Sequence, residues 1–154
     1  MTGVLVLRPT DAARMAFLHG ACFPEQGQWD QAGFSDLMAL PTTLALGLDG
    51  TFGLDSLILV QIMDPEAEVL TLCVAPTARR SGSASQLFTA ALQLLGARGI
   101  ARIMLDVAAD NHAALAFYAH HNFAIDGRRK GYYHRANNQP VDAVLMSRPI
   151  AGQI

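Results

Sequence analysis

The stretch Val69-Leu70-Thr71-Leu72-Cys73-Val74-Ala75-Pro76-Thr77-Ala78-Arg79-Arg80-Ser81-Gly82-Ser83-Ala84-Ser85 has residue types and spacing that could do chemistry. It reads as a strand, a loop of small residues and the start of a helix. The exposed N–H groups of a helix N-terminus, with the macrodipole behind them, attract an anion. Gly82 and Ala84 carry no bulky side chain, so a diphosphate can approach the backbone, and Arg79 and Arg80 add fixed positive charge. The same pattern also suits a plain strand-to-helix turn. Neither the lysine-bearing P-loop nor the GxGxxG dinucleotide fingerprint occurs.

Other reactive side chains are less well placed. Cys73 lies inside an apolar strand with no histidine near it in sequence, which describes an inert buried thiol better than a nucleophile. His120, His121 and His134 have no metal-ligand companions at useful spacing, so no metal site is expected. Tyr118 stands among Leu115 and Phe117 and by spacing alone reads as a core tyrosine. Trp29 fits a substrate groove or a buried loop anchor equally well, and Tyr132 with Tyr133 fits a peptide-binding flank or a closed sheet edge.

The elements that must position the loop alternate along the chain. Val4–Leu7 reads as a short strand, and Thr10 or Asp11 can cap a helix through Ala13, Met15, Phe17 and Leu18. A loop from Cys22 to Gln28 leads to a second helix over Trp29–Leu40. Strands over Thr42–Asp49, Phe52–Met63 and Glu68–Val74 follow, with a hairpin turn expected at Asp49-Gly50. Leu87, Phe88, Ala91, Leu92 and Leu95 recur at helical spacing over Ser83–Ala97. Ile100–Val107 suits a buried strand, and Asp110 or Asn111 can cap a helix that Asn122 ends. Phe123–Asp126 and Val141–Met146 read as closing strands around a basic loop, Gly127–Asn138.

Composition agrees with one α/β domain over residues 1–154. Apolar residues make up 51% and charged residues 16%, enough for a core and too apolar for a disordered chain. The net charge of −2 conceals an acidic first half and a basic stretch from Arg79 to Arg135. The basic stretch suits an anionic ligand and the acidic half a cationic one. A pI near 6 and the absence of interleaved aromatics argue against nucleic acid. No basic leader, no spanning apolar run and two cysteines without CxxC spacing lead to the expectation of a cytoplasmic protein with no membrane partner.

Arg79-x-x-Gly82-x-Ala84 resembles the acetyl-CoA pyrophosphate motif, Gln/Arg-x-x-Gly-x-Gly/Ala, of the GCN5-related N-acetyltransferases (GNAT). The resemblance continues through Ile103-Met104-Leu105-Asp106-Val107, Asn111, and Ala116-Phe117-Tyr118-Ala119-His120-His121-Asn122-Phe123. Arg128-Arg129-Lys130-Gly131-Tyr132-Tyr133, followed by Asp142-Ala143-Val144-Leu145-Met146, is similar to the bacterial ribosomal-protein-alanine N-acetyltransferases (the RimI type). The strong part covers residues 69–148.

The resemblance implies a mixed, mostly antiparallel sheet of about seven strands flanked by about four helices. It implies acetyl-CoA as cosubstrate, with Leu72, Cys73 and Val74 pairing by backbone with the pantetheine arm. Arg79, Arg80, Ser81, Gly82, Ser83, Ala84 and Ser85 would hold the diphosphate, and Asn111 would contact the arm further along. Tyr118 matches the general acid that protonates the leaving thiolate, and Asp106 stands where these enzymes place a glutamate as general base. The implied acceptor is the α-amine of a protein N-terminus, with an alanine-initiated ribosomal protein as the named expectation. The alternatives are a small amine, such as an aminoglycoside or polyamine, and an acyl-CoA-binding domain without turnover. Asp106 is one methylene shorter than the family's glutamate, Asn122 replaces a turn glycine, and Ser83 and Ser85 replace apolar and basic residues.

Overall fold

The computed structural model describes residues 3–23, 29–51, 53–79, 81–135 and 137–150. Its elements are β1 (Leu5–Val6), α1 (Ala12–Cys22), α2 (Gln31–Met38), β2 (Thr43–Gly50), β3 (Gly53–Met63), β4 (Glu66–Val74), α3 (Ser83–Ala97), β5 (Arg102–Ala108), α4 (His112–His120), β6 (Ala124–His134) and β7 (Pro140–Pro149). The strands form one sheet in the order β1-β2-β3-β4-β5-β7-β6. Every pairing is antiparallel except β4 with β5. This is the expected mixed sheet with four helices.

β2 and β3 are apolar on both faces because the sheet is covered on both. Leu44, Leu46, Ile58 and Val60 pack into the core layer that holds Leu87, Phe88 and Leu95 of α3. Ala45, Leu57 and Leu59 point the other way, into a layer with Met15 and Leu18 of α1 and Phe34 of α2. Alternation along each strand sends successive side chains to opposite layers. β4 breaks this rule once. Val60 pairs with Val69 but Leu59 pairs with Thr71, so Leu70 is an extra residue, a bulge. Its effect is a change of face: Val69 belongs to the α3 layer and Cys73 to the α1 layer, although four positions of plain strand would keep them together.

Several local expectations are corrected. Asp11 precedes α1 but its carboxylate makes no cap; it accepts from the Arg8 N–H at 2.7 Å and from Arg14 Nε at 2.9 Å. The second helix starts at Gln31, capped by Asp30, whose carboxylate accepts from the Gly33 N–H. Cys22 is the last residue of α1 rather than loop, and the rest of that expected loop, 24–28, lies outside the described residues. Gly50 stays in β2, paired with Gly53, so the turn falls beyond Asp49-Gly50, and it is Gly53 that takes positive φ.

The basic segment expected as a loop is strand as far as His134. β6 runs to His134 as the outermost strand, where charged side chains reach solvent without disturbing a neighbour. Its register against β7 slips twice, between Ile125 and Gly127 and between Arg129 and Tyr133; in the second slip Gly131 sits at φ 64° and its N–H donates to Asp142 Oδ1 at 2.9 Å. Asn122 takes the left-handed conformation expected of it, at φ 69°.

Candidate active site

β4 and β5 pair over three rungs only, Glu66–Arg102, Ala67–Ile103 and Glu68–Met104. Beyond them β4 bends at its bulge while β5 stays paired with β7 as far as Ala108. The two strands part, and the edge of β4 that faced β5 is left without a ladder partner. The wedge is a cavity of about 850 Å³ with Val69–Leu72 on one wall and Leu105–Ala108 on the other. Asp110, Asn111, Ala114 and Tyr118 line it from the α4 side. His19, Phe23, Trp29, Tyr132, Tyr133 and Arg135 complete its rim.

Leu72, Asp106, Asn111 and Tyr118 therefore share one cavity. The side chain of Cys73 does not face it, being 1% exposed within the α1 layer, although the backbone of β4 there runs along the opening. Asn111 is partly engaged, since its Oδ1 accepts from the Ala114 N–H and caps α4. Asp106 lies two residues beyond Met104, the rung partner of Glu68, so the two carboxylates share a face of the sheet. Burial, then the charge of Asp106, pushes the Glu68 carboxyl above its ordinary pKa. The sequence reading passed over Glu68; its alternation with Ala67 and Val69, both core residues, was the available signal.

Tyr118 is 7% exposed, with Phe117, Phe123 and Phe88 around its ring. Desolvation favours the neutral phenol, so its pKa lies well above that of a free tyrosine and it keeps its proton through the neutral range. Tyr133, also at the rim, is pushed the same way by burial and then by the charge of Asp106. Trp29 lines the cavity and stacks on His19, ring centroids 5.1 Å apart and planes 3° from parallel. Tyr132 and Tyr133 meet edge to face at 5.1 Å, and the Arg129 guanidinium lies over Tyr132 at 5.3 Å.

The loop expected to hold an anion leads from β4 to α3. Gly82 precedes the first turn of α3 at φ 84°, and no atom lies within 4 Å of where a Cβ would stand. It has no side chain to cap the helix, so the N–H groups of Ser83, Ala84 and Ser85 face outward as the first turn requires. Ser81 Oγ donates to the Ala78 carbonyl at 2.5 Å and lies 2.7 Å from Ser83 Oγ, which steadies the loop. Arg79 bends back, donating from Nε to the Val74 carbonyl at 3.3 Å. Arg80 lies outside the described residues. Ser85 is not turned to the loop; its hydroxyl meets His121 Nε2. Among the described residues no group of three or more metal-ligating side chains occurs, and no helix is long and apolar enough to cross a membrane.

An open parallel pair, a bulged strand and a small-residue loop at the next helix frame the cavity, and comparison with known proteins finds acetyltransferases similar in sequence or in fold. The model of the Acetyltransferase (GNAT) family matches residues 50–123, just under half of the chain. The chain is 36% identical over 102 residues to a mycothiol acetyltransferase of Clavibacter michiganensis, an alignment covering 64% of this chain and 33% of the relative. It is 31% identical over 93 residues to the ribosomal protein bS18-alanine N-acetyltransferase of Escherichia coli, covering 60% of this chain and 62% of that protein. The matched region thus spans less than two thirds of either relative. The crystal structure of the Escherichia coli ribosomal-protein-S18-alanine N-acetyltransferase superposes with a TM-score of 0.90 at 24% identity, covering 100% of this chain and 97% of that one. Arabidopsis thaliana NAA60, solved in complex with acetyl-CoA, superposes at 0.82 and 20% identity over 99% and 100% of the two chains.

Proposed function

We propose that the protein is an acetyl-CoA-dependent N-acetyltransferase whose acceptor is the α-amine of a protein N-terminus, an alanine-initiated ribosomal protein being the first candidate. The observation that carries the reading is that Asp106 and Tyr118 both line the cavity that opens between β4 and β5. The backbone of Leu72–Val74 aligns the pantetheine arm, and the loop from Arg79 to Ser85 holds the diphosphate. Gly82 suits this role, since its open face lets phosphate oxygens reach the backbone.

The chemistry needs one proton removed and one supplied. A peptide α-amine titrates at about 7.7–8.0, so part of it is neutral near pH 7, and a modest base suffices. Asp106, directly or through a water, takes the proton as the amine adds to the thioester carbonyl. Backbone N–H groups of β4 stabilise the charge that develops on the carbonyl oxygen. Tyr118 gives its proton to the departing thiolate. No acyl-enzyme forms. The aromatic rim of Trp29, Tyr132 and Tyr133 is where the acceptor peptide enters.

A second reading is a small-molecule amine acetyltransferase. It is favoured by the similarity to mycothiol acetyltransferases and by the acidic first half of the chain. Mass spectrometry of alanine-initiated peptides incubated with acetyl-CoA, each with a free and a blocked N-terminus, tests the first reading. Acetylation of free termini alone is the expected result; turnover restricted to small amines replaces it with the second reading. Acetyl-CoA binding with no product on any amine replaces both with a non-catalytic acyl-CoA-binding domain.

A further inference from the structure

The fold brings together the chain's two cysteines, which are far apart in sequence. Cys22 closes α1 and Cys73 lies in β4 past the bulge; both belong to the core layer under α1. The Cys22 thiol is aimed at β4, donating from Sγ to the carbonyl oxygen of Val74, the residue next to Cys73, at 3.3 Å, and the Cys73 thiol is the strongest influence on its proton. The Arg79 guanidinium reaches the same carbonyl at 3.3 Å and sets its charge beside the Cys22 sulfur. The two thiols have opposite surroundings. Cys22 is half-buried, beside a cation and an S–H donor, while Cys73 is sealed in the core.

These surroundings divide the labour. The hydrogen bond from Cys73, aided by the charge of Arg79, lowers the Cys22 thiol below the ordinary cysteine range, so Cys22 gives up its proton more readily than Cys73. Cys73 is held protonated by that hydrogen bond and by burial. We propose that Cys22 and Cys73 form a hydroperoxide-reactive thiol pair, a modification site in which Cys22 attacks and Cys73 resolves. The Cys22 thiolate attacks an oxygen of the hydroperoxide, the O–O bond breaks, and the departing alkoxide or hydroxide takes a proton, leaving Cys22 as sulfenic acid. The Cys73 sulfur then attacks the Cys22 sulfur. An S–S bond forms, the S–O bond breaks, and the leaving hydroxide takes the Cys73 proton as water. Two thiols are oxidised and one peroxide is reduced.

The bond has a mechanical consequence. A disulfide holds its sulfurs at about 2.0 Å, closer than two free thiols, so forming it draws the Cys22 side chain, and with it the end of α1, toward β4. His19 and Phe23 flank Cys22 and line the cavity, and Trp29, the only tryptophan, stacks on His19. Oxidation is therefore expected to change the intrinsic fluorescence of the whole protein. None of this depends on the acceptor reading above.

The test treats the intact protein with a small excess of hydrogen peroxide. Wild type should lose the mass of two hydrogen atoms and both titratable thiols, with a fluorescence shift, and dithiothreitol should reverse all three. Cys22→Ser should not react at the same dose. Cys73→Ser should stop at a sulfenic acid on Cys22 that dimedone traps, and Cys73→Ala gives the same readout should a buried hydroxyl unfold the strand. Thiols that stay titratable in wild type overturn the proposal. So does a wild type that only gains oxygen on Cys22. A disulfide without a fluorescence shift overturns the coupling to the cavity rim.

Discussion

The Ser85 hydroxyl and the Nε2 of His121 lie 3.0 Å apart, joining the first turn of α3 to the residue that ends α4. The imidazole also packs against Phe88 at 5.0 Å and Phe117 at 4.5 Å, in the aromatic group that holds Tyr118. One ring therefore ties the candidate anion loop to the helix of the candidate acid. Burial, then the charges of His120 and Arg148, hold its pKa below that of a free histidine. Neutral, it can accept the serine hydrogen.

This sets a pH dependence. His19, buried with its Nδ1 unpartnered, is depressed in the same way by desolvation. Below about pH 6.5 the unfolded chain binds protons that the folded histidines refuse, so stability rises with pH in that window. The contribution is complete above the unfolded value and is lost as pH falls through the folded ones. Urea unfolding should give a lower stability at about pH 5.5 than at about pH 7.5. His121→Gln, which keeps an acceptor for Ser85, should reduce the difference. A variant with the wild-type pH slope would mean that His121 titrates as a free imidazole.

What the sequence revealed and what it hid follow from the range of the interactions. α3 was readable because Leu87, Ala91 and Leu95 carry its period within one segment, and β2 and β3 because both of their faces are buried. The β4 bulge was not, since the extra residue exists only relative to β3. The opening between β4 and β5 is likewise a property of two distant segments. Gly127–His134 looked like a loop because charge and glycine resemble loop composition, whereas an edge strand tolerates both. Among candidate site residues, Asp106 and Tyr118 came from family resemblance, not from spacing. Glu68 had its alternation with core residues as a signal, whereas the Cys22–Cys73 pair is visible only in the folded chain.

Gly82 separates backbone from electrostatics. At φ 84° an added Cβ meets no atom but strains the backbone, so Gly82→Ala should lower stability by about 1 kcal/mol. Gly82→Glu adds a carboxylate where a diphosphate is expected and should nearly abolish acetyl-CoA binding in calorimetry. Wild-type affinity in a folded Gly82→Glu protein would remove the anion role from this loop.

Tyr118→Phe keeps the ring among Phe88, Phe117 and Phe123 and removes only the hydroxyl. Acetyl-CoA affinity should persist while the single-turnover rate falls by about a hundredfold or more, the scale of a positioned general acid. Because burial keeps the phenol protonated, the wild-type rate should show no decline from this group up to about pH 9. An unchanged single-turnover rate in Tyr118→Phe would leave the tyrosine as a core residue only.

The last prediction joins the base to the acceptor. If Asp106 removes a proton from an α-amine, Asp106→Asn should slow the reaction most near neutral pH. Raising the pH to about 9 should restore much of the rate, since an α-amine titrating near 7.7–8.0 is then mostly neutral unaided. A lysine acceptor, titrating near 10.4, stays largely protonated there and would show far less recovery. Glu68→Gln is the necessary comparison, because Glu68 shares the face of Asp106 and feels its charge. A defect in Asp106→Asn that high pH repairs, with a smaller one in Glu68→Gln, assigns the proton to Asp106. The reverse order moves the base one strand over, to β4. Equal pH profiles in wild type and both variants would mean that the amine loses its proton to solvent, with both carboxylates serving only to attract a cationic acceptor.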